Sequence, residues 1–172
     1  KQSRGIAEGR GGLRGPENVW GSAAVGTILV ITCQFVDTDL NYIFYAGFAA
    51  SFAAKLSDTF GSEIGKRWGK KTFLITSFKP VEPGTDGAIS IEGTSASFCG
   101  SLLMTYAMYK LDFIITSSTF LIVLFSGCFA TLAESFIGAT YQRKLRWLTN
   151  EVVNGIQTAI AAFVAMTAIY FQ

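Results

Sequence analysis

Asp58 stands in KLSDTFGSEIGKRWGKK, residues 55–71, where an apolar run ends and both signs of charge crowd together. If this stretch continues the helix before it, about 100° per residue puts Lys55, Asp58, Ser62 and Lys66 in one quadrant, with Glu63 on its flank. A carboxylate with ammonium groups one turn away suits a Mg²⁺–phosphate site. Mg²⁺ is held by one or two carboxylates plus phosphate oxygens and water, and ammonium groups meet the remaining negative charge. The same residues also fit a plain helix end at a membrane interface, with snorkelling lysines and compensating acids. An acid lying within the bilayer would favour the first reading.

A second candidate is KPVEPGTDGAIS, residues 79–90. Pro83, Gly84, Thr85, Asp86 and Gly87 predict a turn with available backbone N–H groups, opening into a helix whose N-terminus favours anions. The GxxxxGK[ST] spacing of a P-loop is absent, and a plain loop between membrane segments is the simpler alternative. Further along, Glu92 lies just inside the next helix and Glu134 near the end of another, in LAESFIGATYQ. In TNEVVNGIQ, Asn150, Asn154 and Gln157 follow an i, i+4, i+7 spacing and share one helix face. Polar groups repeated on a membrane helix mark interhelical hydrogen bonding or a lined cavity. Taken together, acids and amides at the same level of several helices predict one shared polar site. With no histidine in the chain, imidazole acid–base chemistry and imidazole metal ligation are excluded within these residues.

The elements that must position these groups are membrane helices. Half of the 172 residues are hydrophobic and 15% are charged, against about a quarter charged in soluble domains; mean hydropathy is +0.39. The expected fold class is all-α, a polytopic transmembrane bundle of about five helices, each near the ~20 residues needed to cross a hydrocarbon core. The apolar segments fall at about 19–36, 40–56, 88–109, 112–135 and 151–171. Basic residues gather in three places: Lys1, Arg4, Arg10 and Arg14; the 63–79 stretch; and Arg143, Lys144 and Arg146. The turns near Asp37–Asn41 and Lys110–Asp112 carry little positive charge, so the basic stretches are expected on one membrane face. Gly93, Ser97, Gly100 and Ser101 predict close helix packing. Cys33, Cys99 and Cys128 sit singly in apolar runs and read as packing residues. The net charge of +2 and the lack of a basic–aromatic pattern argue against nucleic acid as a partner.

The polar opening, KQSRGIAEGRGGLRGPENVWG, lacks the apolar core of a signal peptide and the composition of a transit peptide. It reads as an interior loop. The expected organisation is the C-terminal part of a single transmembrane domain over 1–172, with a polar loop at 1–18, same-side loops at 57–87 and 136–150, and upstream helices missing.

The series SDTFGSEIGK, KPVEPGTDGAISIEGT, ESFIGATYQ and WLTNEVVN, preceded by GIAEGRGGLRGPENVWGSAA, resembles the family of integral membrane proteins that includes the phytyl-phosphate kinase of tocopherol synthesis. It is similar to the plastid members in EIGKRWGKKT, ISIEGT and RWLTNEVVN. The resemblance covers essentially the whole chain and implies transfer of the terminal phosphate of CTP to phytyl monophosphate, an isoprenoid monophosphate lipid. Phytyl diphosphate would then serve tocopherol and prenylquinone synthesis and phytol salvage. It further implies a plastid membrane, chloroplast envelope or thylakoid. A remoter similarity is to CTP-using lipid enzymes of the dolichol kinase and phosphatidate cytidylyltransferase types, with Asp58, Gly65, Gly69, Lys70 and the 79–87 loop as counterparts. The family's upstream membrane segments are missing from these residues.

On that resemblance, chemistry assigns the roles. Asp58, with Glu63 or Glu134, would hold Mg²⁺ bridging triphosphate oxygens. Lys66, Lys70 and Lys79 would neutralise phosphates, and Gly84, Thr85, Asp86 and Gly87 would supply backbone donors. Arg10 and Arg14 would grip the lipid phosphate, while Asn150 and Asn154 would orient an acceptor oxygen or a metal-bound water. Membrane lipids would surround the tail-binding faces. The competing expectation is a non-catalytic membrane subunit with membrane-protein partners, in a larger and even photosynthetic assembly. A transporter ranks behind both, because its polar residues belong at midplane.

Overall fold

The computed structural model describes residues 15–142 and 144–172. Five helices carry it: α1 (Pro16–Thr32), α2 (Asn41–Trp68), α3 (Ile91–Lys110), α4 (Ser117–Ile137) and α5 (Asn150–Tyr170). Their starts are written locally. Pro16 opens α1, where a missing N–H costs nothing. Ser90, Thr116 and Thr149 cap α3, α4 and α5 by accepting from the backbone N–H of Gly93, Thr119 and Val152.

Small residues let the helices approach. On α2, Gly61 and Gly65 meet Gly93 and Ser97 of α3, and a Cβ on Gly93 would stand 3.0 Å from the Gly61 carbonyl oxygen. The interior is correspondingly small and partly polar. Ala46, Ala49, Ala50, Ala53 and Ala54 are fully buried along α2 with Ser51 and Ser57, as are Ser101 and Thr105 on α3. Large apolar side chains point outward instead: Phe98, Leu103, Phe125, Phe129, Phe136 and Phe163 are all exposed. A small-residue core inside an aromatic exterior is the arrangement that lipid favours, since hydrocarbon offers no drive to hide a phenylalanine.

Several element boundaries depart from the sequence expectations. The second helix runs on to Trp68, as the stripe from Lys55 to Lys66 requires, so the opening of the expected 57–87 loop is helical. Its charged turns still complete i→i−4 hydrogen bonds, and packing of Gly61 and Gly65 on α3 holds them. The third apolar segment was expected from residue 88, yet α3 begins at Ile91. Ala88–Ile89 pairs antiparallel with Phe73–Leu74 as a short ribbon, β2 with β1, so the chain is not purely helical. Glu134 and Ser135 lie near the end of α4 as expected, but the helix runs on to Ile137 and passes into a π turn at Gly138–Gln142, shortening the loop expected at 136–150.

Among the described residues, two helices are long and apolar enough to cross a membrane on those grounds alone: Ser117–Gln142 and Asn150–Tyr170. Five helices were expected and five are present, of which these two carry the hydropathy of a membrane span. The small and polar inward faces of α2 and α3 dilute theirs.

Candidate functional site

A cavity of ≈ 300 Å³ sits at one end of the bundle. Its wall is built from the starts of α1, α3 and α5 and the ends of α2 and α4, together with the 83–90 segment. All five helices therefore contribute at the same level.

The centre of the site is Lys55. Its Nζ donates to Asp58 Oδ2 at 2.7 Å and to Asn154 Oδ1 at 2.9 Å. The first contact is the i, i+3 geometry of α2; the second joins α2 to α5. Because an ammonium only donates, Asn154 must present its carbonyl to Lys55, which leaves its amide NH₂ as a donor. Lys55 and Asp58 are only 19% and 16% exposed, so each needs the other. Lys66, Ser62 and Thr59 of α2 line the same wall, as does Glu134 of α4. The quadrant expected on α2, from Lys55 to Lys66, faces the cavity intact.

The 83–87 turn closes one side. Gly84 and Gly87 have φ of +91° and +76°, a left-handed backbone that glycine alone adopts without strain. Gly87 lies against Ser135 and Ala139, where any Cβ would collide. The π turn puts Gly138 beneath the Gly87 backbone, and a Cβ there would come within 3.3 Å of the Gly87 nitrogen. Such turns recur where a helix must accommodate a neighbouring segment. The turn is thereby docked onto α4, with Gly84, Thr85, Asp86 and Gly87 in the cavity wall. Across the cavity, Gln142 Nε2 donates to Asn150 Oδ1 at 2.7 Å, tying the π turn to the start of α5.

Of the candidates from sequence, Asp58, Lys66, Glu134, Asn150, Asn154 and the 84–87 turn come together here. Glu63, Lys70 and Lys79 do not line the cavity. Glu63 stands about 140° from Asp58 around α2, on the flank of that face and outside the cavity wall. The Lys70 side chain is exposed, and its backbone N–H reaches Glu92 Oε1 at 3.4 Å outside the cavity. Lys79 is exposed beyond the ribbon, where its carbonyl accepts from Leu74 N. Arg10 and Arg14 lie outside the described residues. Gln157 is fully buried below the site, donating to Ala54 O at 3.1 Å and Thr131 Oγ1 at 3.2 Å; its role is interhelical. Lys55 was absent from the expected site residues, although a lysine inside an alanine-rich helix, three residues before an aspartate, is a legible signal.

For a divalent cation, the donor set is adequate but small. Among the described residues no three acids or cysteines converge. Asp58 and Glu134, from facing helices, give the one or two carboxylates that Mg²⁺ uses when phosphate and water complete its shell. Glu63 does not contribute.

The fold and this cavity define a helical integral membrane protein with a charged pocket at one end of its bundle. Residues 1–162 match the family described as integral membrane protein DUF92, and the chain belongs to that family. It is 46% identical over 166 residues to the uncharacterised membrane protein sll0875 of Synechocystis, covering 96% of this chain and 64% of that protein. It is 41% identical over 170 residues to protein VTE6, chloroplastic, of Arabidopsis thaliana, covering 96% of this chain and 51% of the relative. A third relative, the uncharacterised membrane protein MJ0933 of Methanocaldococcus jannaschii, is 41% identical over 123 residues, covering 70% of this chain and 49% of its own. The chain thus spans about half to two thirds of the length of these relatives. No solved structure matches it.

Proposed function

We propose that this chain forms the phosphate-handling part of a membrane kinase, transferring the terminal phosphate of CTP to phytyl monophosphate. The observation that carries the reading is the Lys55–Asp58–Asn154 cluster, set in a cavity wall shared with Lys66, Glu134 and the 83–87 turn. In the transfer, an oxygen of the lipid phosphate forms a bond to the terminal phosphorus, the bond from that phosphorus to the bridging oxygen breaks, and CDP leaves. The acceptor oxygen is already anionic, so no strong base is needed. The obstacle is repulsion between two anions, and fixed cations and dipoles remove it.

Lys55 and Lys66 meet the phosphate charge from α2. Asn154, its carbonyl engaged by Lys55, turns its amide N–H groups to a phosphate oxygen. The glycine turn offers backbone donors from the opposite wall. Asp58 and Glu134 would hold Mg²⁺, which when bound neutralises triphosphate oxygens. All five helices cross the bilayer in this reading, with the cavity on the face that carries the basic stretches. The resemblance of the motif series to phytyl-phosphate kinases supports the substrate pair and a place in tocopherol synthesis, and the chloroplastic relative supports a plastid membrane.

The test uses full-length protein in lipid bilayers with terminally labelled CTP and phytyl monophosphate. Labelled phytyl diphosphate is expected from the wild type, and Asp58→Asn, folded, should lose about a hundredfold or more of that rate. No label transfer by the wild type would overturn the kinase and favour a non-catalytic subunit.

A further inference from the structure

The cavity is not uniformly polar. Its deep end lies between α3 and α4, where Ser97 and Phe98 face Cys128 and Leu132. Phe98 and Leu132 line the cavity and yet are 42% and 43% exposed on the bundle exterior, so the deep end opens sideways. Cys128 lies about 9 Å further along α4 than Glu134, at about 1.5 Å per residue. Just beyond, the two helices close. Ser101 Oγ of α3 donates to Leu124 O of α4 at 2.8 Å, and a Cβ on Gly127 of α4 would stand 2.5 Å from that same Ser101 Oγ. That contact floors the slot.

We propose that this slot is the lateral entry for a phosphorylated single-chain isoprenoid, with the phosphate at Lys55 and Lys66 and the tail leaving between Phe98 and Leu132 into lipid. The occupant follows from the two ends of one cavity. Cations and amide donors lie at the head and apolar side chains at the foot, and a cavity of ≈ 300 Å³ shared with the head group is too small to enclose a long tail. Only the phosphate-proximal part of the tail is gripped. The remainder stays in the membrane, so discrimination among tails falls on their first carbons and not on their length. The assignment rests on the kinase reading for its head group, and its test is independent of turnover.

The unmodified full-length protein in nanodiscs is treated with a membrane-permeant maleimide, and labelling of each cysteine is followed by peptide mass. Cys128 samples the slot, and Cys99, exposed on α3 and outside the cavity wall, is the internal control. Without ligand Cys128 labels from the wet cavity, while Cys99, facing hydrocarbon on α3, sets the slow background rate. Phytyl monophosphate at about ten times its Kd should slow Cys128 about tenfold, because only about a tenth of sites stay empty, and should leave Cys99 unchanged. Phytol and inorganic phosphate, each alone, should leave both rates unchanged. A Cys128 that does not label without ligand, that labels equally fast with phytyl monophosphate, or that phytol protects as well would overturn the slot. Protection of Cys128 without any CTP turnover would keep the slot and remove the kinase.

Discussion

Lys55 of α2 and Asn154 of α5, 99 residues apart in the chain, are joined by a 2.9 Å hydrogen bond at the head of the cavity. The bond holds the two helices at one register and sets which end of the asparagine amide faces the cavity. It also places the lysine where it neutralises Asp58, 2.7 Å away. A single ammonium therefore links helix packing to the charge of the site.

Lys55→Met should destabilise the protein by about 2 kcal/mol, because a mostly buried aspartate loses its cation. The double variant Lys55→Met with Asp58→Asn should regain most of that stability while remaining inactive. Denaturant unfolding in micelles beside the label-transfer assay checks both. Equal stability of the single and double variants would remove the pair from the core.

Lys66 lines the cavity, whereas Lys79 is exposed outside it. Lys66→Ala should raise the KM for CTP about 10- to 100-fold, the range for losing one hydrogen bond to a charged group. Lys79→Ala should leave that KM unchanged within about twofold. Steady-state kinetics on both variants decides between them.

Gly87→Ala forces a side chain into a left-handed backbone position and against Ser135 and Ala139. The docked turn should lift from α4, costing about 1–3 kcal/mol and weakening nucleotide binding. Gly155→Ala is the contrast: a Cβ there would meet nothing nearer than 3.9 Å, and the helix should gain up to about 1 kcal/mol. Unfolding curves of the two variants should move in opposite directions.

Gln157→Leu removes the donors to Ala54 and Thr131. A loss of about 1 kcal/mol is expected, typical of one interhelical hydrogen bond in a membrane, with the KM for CTP unchanged. A large change in KM would make Gln157 part of the site.

Much of this architecture could be read along the chain. The apolar segments and the glycine turn before α3 are local features. Hydropathy over twenty residues and positive-φ glycine each act within a few residues of themselves. The stripe from Lys55 to Lys66 was readable for the same reason, since helical periodicity relates neighbours without any tertiary information.

Partnership between distant residues was another matter. Glu63 and Glu134 were equal candidates to accompany Asp58, and only the packing of α4 against α2 brings Glu134 into the cavity wall, which Glu63 does not join. Lys79 and Lys70 were as cationic as Lys66, but the ribbon at Phe73–Leu74 and Ala88–Ile89 carries one outward, and the end of α2 leaves the other exposed. Those outcomes depend on how Gly61 and Gly65 seat on Gly93, and on how Gly87 seats on the end of α4. Close contacts of that kind form between segments far apart in the chain, so no local pattern encodes which side chains they leave facing the cavity.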